Sequence, residues 1–235
     1  MSDVLLAPCG EGALRVTAVH ADPEQRWRCV HHIADWLNAH QIPGVYGSLP
    51  TYDSLLIEFD PVLVTAASLG PVIDAASAAD ARPARRPRRF VLPMVYGGSH
   101  GPDLEFVADF LGLTQAEVVD LHSGADSTVR CLGGPIASCM LDGPAFSRPI
   151  PRLADPRLEV PENAISVAGE QGVVGPVRAP SGWRLIGLTP VKIMDVEADE
   201  LIPYLPGDRI RFRPIDSSAW SDYEGVRLHE LAEAC

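Results

Sequence analysis

Glu170 and Gln171 follow Gly169 at the end of a short apolar run, Ile165 to Ala168. A carboxylate at a partly apolar barrel mouth is suited to act as general acid or base. The neighbouring amide of Gln171 offers a donor and an acceptor to an amide or carboxylate ligand. Trp183 adds a flat wall with a polar edge, and Arg184 and Lys192 add cationic heads that loops of one barrel could aim at a single cavity. His122, just after a pair of helical segments, is the candidate for proton transfer near neutral pH. Three of these residues also have a plainer reading. Glu170 in Gly-Glu-Gln-Gly fits a solvated turn, His122-Ser123 fits a helix C-terminus, and Trp183 fits a core position. Ser138-Cys139 lacks the Gly-x-Ser-x-Gly setting of an activated nucleophile.

The stretch that must position these groups is Ala154 to Asp216, where short apolar runs alternate with proline and glycine. No helical period of useful length survives that much proline, so the segment is expected to be strands and tight loops in a barrel or sandwich. Ahead of it, Phe90 to Tyr96 reads as a strand. Leu104, Val107, Ala108 and Leu111 then form a helical stripe that Gly112 ends, and Thr114 with Glu117 forms a capping box for a second helix. The tail beyond Ser217 is weakly specified, with a short helix around Val226 to Ala234.

The first 81 residues read as a separate small domain. Residues 12–19 alternate as a strand, and Trp27, Val30, Ile33, Ala34 and Leu37 give one apolar helix face behind Asp22 and Pro23. Two further strand-like runs and a helix over 62–79, kinked or split at Gly70-Pro71, complete the order β-α-β-β-α. Adjacent His31 and His32 point about 100° apart, which is unsuited to a shared metal, so both read as surface or rim residues. Residues 82–89 carry Arg82, Arg85, Arg86, Arg88 and Arg89 among prolines and read as an exposed linker. Residues 90–235 form the second domain.

A chain of 235 residues is long enough to bury a core without staples. Five cysteines, an odd number without a Cys-x-x-Cys pair, fit reduced thiols rather than disulfides or zinc. A net charge of −12 argues against a nucleic-acid partner. Without a basic leader or a run of about 18 apolar residues, the expectation is a cytoplasmic protein with no membrane partner. No glycine-rich phosphate loop or metal-ligand cluster is present, so no cofactor is expected on this chain alone.

The ordered motifs YGGSHGPDLEFVADFLGLTQAEVVDLHS, PRLEVPENAISVAGEQ, PSGWRLIGLTP and PGDRIRF identify a resemblance running from about Ser54 to Ile215. The sequence resembles the family that contains the B subunit of bacterial 5-oxoprolinase and subunit 1 of allophanate hydrolase. That family also takes in a sporulation-kinase inhibitor and the first half of the carboxyltransferase domain of urea carboxylase. The resemblance implies an α+β two-domain chain: a ferredoxin-like N-terminal domain followed by a cyclophilin-like β-barrel. It also implies a second subunit of related barrel fold, with ATP or biotin handled through partner subunits. Gln171 matches the family's glutamine.

Some positions depart from the family pattern. Where the family has Gly-Phe-x-Pro-Gly-Phe-x-Tyr-Leu, this chain has Gly133-Gly134-Pro135-Ile136-Ala137-Ser138-Cys139-Met140-Leu141. Leu188 replaces the arginine of Gly-Arg-Thr-Pro, and Gly175-Pro176 replaces Tyr-Pro. If Gly134, Pro135 and Ile136 line the ligand cavity, losing three aromatic rings enlarges it. The leading expectation is a component acting on a small cyclic amide or ureido acid with a second barrel subunit. The alternatives are a stand-alone enzyme with a rewritten pocket and a non-enzymatic histidine-kinase inhibitor.

Overall fold

The structure is a computed structural model that describes residues 4–80 and 85–234. The chain divides into two compact units near Arg85.

In the first unit the elements are β1 (Val4–Pro8), β2 (Ala13–Ala18), α1 (Pro23–His40), β3 (Val45–Pro50), β4 (Ser54–Phe59) and α2 (Ala66–Ala78). The sheet order is β1-β2-β4-β3 with every pair antiparallel. The segment from β2 to α2 follows a ferredoxin-like path, and β1, an addition to the expected elements, fills the edge beside β2. Helix α1 starts where expected because the Asp22 carboxylate accepts from the Glu24 amide and Pro23 needs no partner for its nitrogen. Its Val30, Ile33, Ala34 and Leu37 are buried with Leu14, Val16, Leu55, Ile57 and Phe59 of the sheet. Burying each such large aliphatic side chain contributes about 2 kcal/mol. The helix expected over 62–79 begins only at Ala66, behind a Thr65 cap, and continues through Pro71 as one element. His31 is buried, and its Nε2 lies 3.2 Å from the Thr51 carbonyl oxygen, so it is a satisfied core-edge histidine rather than a surface residue.

The second unit contains β5 (Arg88–Tyr96), α3 (Leu104–Leu111), α4 (Gln115–Ser123), β6 (Ser127–Gly133) and β7 (Ser138–Asp142). It continues with β8 (Arg157–Val160), β9 (Ala164–Ala168), β10 (Gln171–Gly175), β11 (Ala179–Ser181), β12 (Arg184–Leu188) and β13 (Arg209–Pro214). A short helix α5 (Trp220–Tyr223), a 3-10 turn at Leu228–Leu231 and β14 (Ala232–Ala234) replace the expected tail helix. The strands run β12-β9-β10-β7-β6-β13-β5, and a β12–β5 pairing closes them into a seven-stranded barrel. β13 and β5 are parallel, and the other pairs around the ring are antiparallel.

Alternate residues of these strands point inward, as a closed sheet requires. Leu92, Met94, Val129, Leu141, Ile165, Val167, Val174, Ile186, Ile210 and Phe212 belong to one buried cluster, so the barrel axis is packed with side chains. On the outside, Val160, Ala164 and Leu185 form a second small cluster. The separate β8–β11 ribbon thereby covers the face formed by β9 and β12.

The arginine run ends differently from expectation. Arg82 lies outside the described residues, whereas Arg88 and Arg89 already belong to β5. Arg89 places Nε 3.1 Å from both carboxylate oxygens of Asp126 and Nη1 2.5 Å from Glu233. The Arg88 amide donates to the fully buried Asp208 carboxylate at 2.7 Å. These two arginines are therefore ion-paired strand residues, not part of a solvated linker. Cys9, Cys29, Cys131 and Cys139 are not in disulfides.

Candidate functional site

Strand register sorts the candidate residues into two groups. Gln171 pairs with Ala168 and with Asp142, and Arg184 pairs with Val167. Glu170, Gln171, Trp183 and Arg184 therefore sit where β9 ends. Leu188 pairs with Ala164, and the Thr189 amide donates to the Asn163 carbonyl, so Lys192 emerges where β9 begins. Val174 pairs with Cys139, which puts the β6–β7 tip carrying Gly134, Pro135 and Ile136 at that same end. Four residue steps of strand separate the ends by about 13 Å. The single cavity expected to gather all of these residues is thus replaced by two sites at opposite ends of a filled barrel.

At the Ala168 end, Gly169 and Glu170 form a two-residue hairpin loop with positive φ only at Gly169 (57°). The Glu170 carbonyl accepts from the Gly143 amide at 2.9 Å, and Gly169 exchanges both of its backbone groups with Ile150. A Cβ on Gly143 would lie 2.1 Å from the Glu170 carbonyl oxygen, so only glycine fits that approach. The turn is pinned by its backbone while the Glu170 side chain stands exposed, without the apolar surroundings expected for it. Gln171 is half-buried on the outer face beside Asp142, which binds Arg130 Nη2 at 3.1 Å.

Arg184 is committed to structure rather than open to a ligand. Its Nε donates to the Pro151 carbonyl at 3.1 Å, and its guanidinium carbon lies 3.6 Å from the centre of the Phe106 ring. Half-buried Trp183 has Arg152 above its ring at 5.7 Å. Beside them is Asp103, a residue that no sequence motif singles out. It is 6% exposed and accepts from Arg157 Nη1 and Nη2 (2.7 and 3.0 Å) and from the Leu185 amide (2.7 Å). One carboxylate thus ties the start of α3 to β8 and β12.

His122 does not stand in either site. It is 2% exposed, its Nδ1 lies 2.6 Å from the Tyr96 hydroxyl, and its ring packs 4.3 Å from that of Phe212. Burial lowers its pKa to about 3, so the ring is neutral at physiological pH and closed to a substrate. The sequence places it correctly at the end of α4, but which face is buried depends on β13 and β5, far away in the chain.

At the Ala164 end, Lys192, Asp195, Leu201, Arg227 and His229 line a cavity of ≈ 80 Å³, together with Glu200 and neighbouring backbone. Lys192 Nζ donates to Asp195 Oδ1 at 2.7 Å, and Arg227 Nε lies 3.0 Å from Oδ2. These cations hold the Asp195 carboxyl below its usual range, the Lys192 hydrogen bond being the largest cause. The Lys192 amide donates to the Val226 carbonyl and its own carbonyl accepts from Leu228, which fastens the tail to the segment after β12. Asp195 opens the acidic run DVEADE, which reads as a solvated loop, and Arg227 lies in the weakly patterned tail. Neither signal marks a site from sequence alone.

The loop over residues 134–137 belongs to this end as well. Gly134-Pro135 is a cis peptide bond, the Pro135 carbonyl accepts from the Ser138 hydroxyl at 2.8 Å, and Ile136 is 61% exposed. Ala137, at φ 56°, is held by the hydroxyl of fully buried Tyr204. Among the described residues no cluster of three or more histidines, cysteines or carboxylates is placed to hold a metal. No helix among them is long and apolar enough to cross a membrane.

A ferredoxin-like sheet joined in sequence to a closed mixed barrel defines the class, a two-unit α+β protein. Residues 4–204 match the carboxyltransferase domain, subdomain C and D. The chain belongs to that family. It is 42% identical to the 5-oxoprolinase B subunit of Escherichia coli O157:H7 over 127 residues, 54% of this chain and 58% of that protein. It is 28% identical to the 5-oxoprolinase B subunit of Bacillus subtilis over 226 residues, 92% of this chain and 94% of that one. The match thus spans little more than half the length of the first relative and nearly all of the second. In fold, the chain superposes on the urea carboxylase of Kluyveromyces lactis with a TM-score of 0.75 at 18% identity, covering 93% of this chain and 22% of that one.

Proposed function

We propose that this chain is one component of a 5-oxoprolinase or allophanate-hydrolase type of enzyme, acting on a small cyclic amide or ureido acid together with a second barrel subunit. The observation that carries this reading is the 28% identity to a 5-oxoprolinase B subunit across 92% of the chain. In this reading ATP or biotin chemistry is supplied by partner subunits, and this chain contributes binding and proton-transfer groups. Glu170 is the carboxylate best placed for that work, because its backbone is fixed while its side chain is exposed at a barrel end. Gln171 contributes a donor and an acceptor from the same turn.

A second reading rests on the loop over 134–137. The family resemblance places aromatic residues at Gly134 in this loop and at Ser138 and Met140 just after it, while the turn and strand motifs stand, so a changed ligand on a kept scaffold fits the same chain. Co-expression with the second barrel subunit from the same genome tests the first reading. The expected outcome is a stable complex and ATP-dependent opening of 5-oxoproline that neither component shows alone. Turnover by the isolated chain would support the second reading instead.

A further inference from the structure

We propose that the surface formed by Leu132, Ile136, Val196, Leu201 and Leu205 at the Ala164 end of the barrel docks the second barrel subunit, through apolar side chains on that partner rimmed by lysine or arginine. The inference rests on the two-subunit reading above and gives it an interface. Five large aliphatic side chains stand in solvent here: Leu132 is 38%, Ile136 61%, Val196 75%, Leu201 42% and Leu205 45% exposed. Together they present on the order of 400 Å² of accessible surface, a patch size that marks interaction sites on folded proteins. Hydrogen bonds hold the segments that carry them. Leu132 and Ile136 belong to one hairpin, in which Gly133 pairs with Ser138. The Tyr204 hydroxyl donates to the Ala137 carbonyl at 2.8 Å, which places residues 204–205 beside that hairpin. The Asp195 amide donates to the Leu201 carbonyl at 2.9 Å and closes the loop that carries Val196. A surface fixed in this way loses little conformational freedom when a partner settles on it.

Charge selects the occupant. Glu197, Asp199 and Glu200 follow Val196 in the same loop, and all three are exposed. Lys192 and Arg227 offset Asp195 and one of these carboxylates, so two remain uncompensated at the edge of the patch. The whole chain carries a net charge of −12. Two copies meeting on this face would bring like charges together, whereas cationic residues around an apolar face of a different protein would complement them. The patch therefore fits a distinct subunit better than a second copy of this chain.

Titration calorimetry of the full chain with the second barrel subunit from the same genome tests this surface. The wild-type chain should bind saturably at 1:1. Ile136→Asp and Leu205→Asp should each weaken binding about tenfold or more, while circular dichroism and melting show a folded chain. Asp199→Lys should weaken binding about threefold and flatten its dependence on salt. Leu158→Asp is the control: Leu158 is 91% exposed but lies on the separate β8–β11 ribbon, so affinity should stay within about twofold of wild type. A complex that every patch variant forms as tightly as the wild type would overturn the surface and leave the two-subunit reading standing. Failure of the wild-type chain to bind would overturn both. A wild-type chain that sediments as a dimer, with Ile136→Asp a monomer, would overturn the proposal by giving the patch to a second copy.

Discussion

The hydroxyl of Tyr204 donates to the carbonyl oxygen of Ala137 at 2.8 Å, which joins the segment after the acidic run to the loop over residues 134–137. Tyr204 is fully buried, and burial pushes its phenol well above the ordinary range, so it remains a neutral donor. The loop is therefore held from inside the barrel although Ile136 faces solvent. Tyr204→Phe keeps the ring and removes the hydrogen bond. We expect a loss of about 1 kcal/mol in denaturant unfolding. Amide exchange should quicken over residues 136–139 and stay unchanged in α1 of the first unit.

The buried His122 makes stability depend on pH with a definite sign. An unfolded histidine titrates near 6.5, whereas the folded ring titrates near 3. Between these values the unfolded chain binds a proton that the folded chain refuses. Stability is complete above about pH 6.5 and falls as the pH is lowered, by up to about 1.4 kcal/mol per pH unit. His122→Gln, which can still accept from the Tyr96 hydroxyl, should flatten this slope between about pH 4.5 and 6.5. An equal slope in both proteins would show that other groups cause it.

The close approach of Gly143 to Glu170 separates two ways of damaging the same turn. Gly143→Ala forces a Cβ against the Glu170 carbonyl and should cost about 2–4 kcal/mol of stability. Glu170→Ala removes only an exposed carboxylate and should change stability by less than about 0.5 kcal/mol. If Glu170 transfers a proton in the assembled enzyme, its alanine variant should lower kcat by about a hundredfold with little change in the melting temperature. A full-rate Glu170→Ala enzyme would remove this residue from the chemistry.

Asp103 is the structural anchor of the Ala168 end. Asp103→Ala leaves the Leu185 amide and the Arg157 guanidinium without their acceptor and should cost about 3 kcal/mol in equilibrium unfolding. Asp103→Asn retains one acceptor for Leu185 and should cost less. Equal losses would mean that the charge, rather than the backbone hydrogen bond, sets the effect.

The fold is legible where local signals carry it. The caps of Asp22 and Thr114, the stripe on α1 and the Gly112 stop all act within a few residues of their targets. β1 escapes such signals because Val4–Pro8 is short and shows no clear alternation; its pairing with β2 defines it. The same limit governs the sites. Glu170 and Lys192 are only 22 positions apart in sequence, yet the register of β9 and β12 sends them to opposite ends of the barrel. Asp195 and Arg227 meet only after the tail folds back along Lys192, and no spacing rule connects an acidic loop with a distant arginine. His122 falls on the helix that its sequence context indicates, but its burial depends on Tyr96 and Phe212.

Reconstitution with the second barrel subunit measures the central claim directly. The two chains, co-expressed and purified through a tag on one of them, should elute as a single complex whose ATP-dependent consumption of 5-oxoproline or a related cyclic amide disappears when this chain is omitted. A partner that assembles and turns over equally well without this chain would contradict the account.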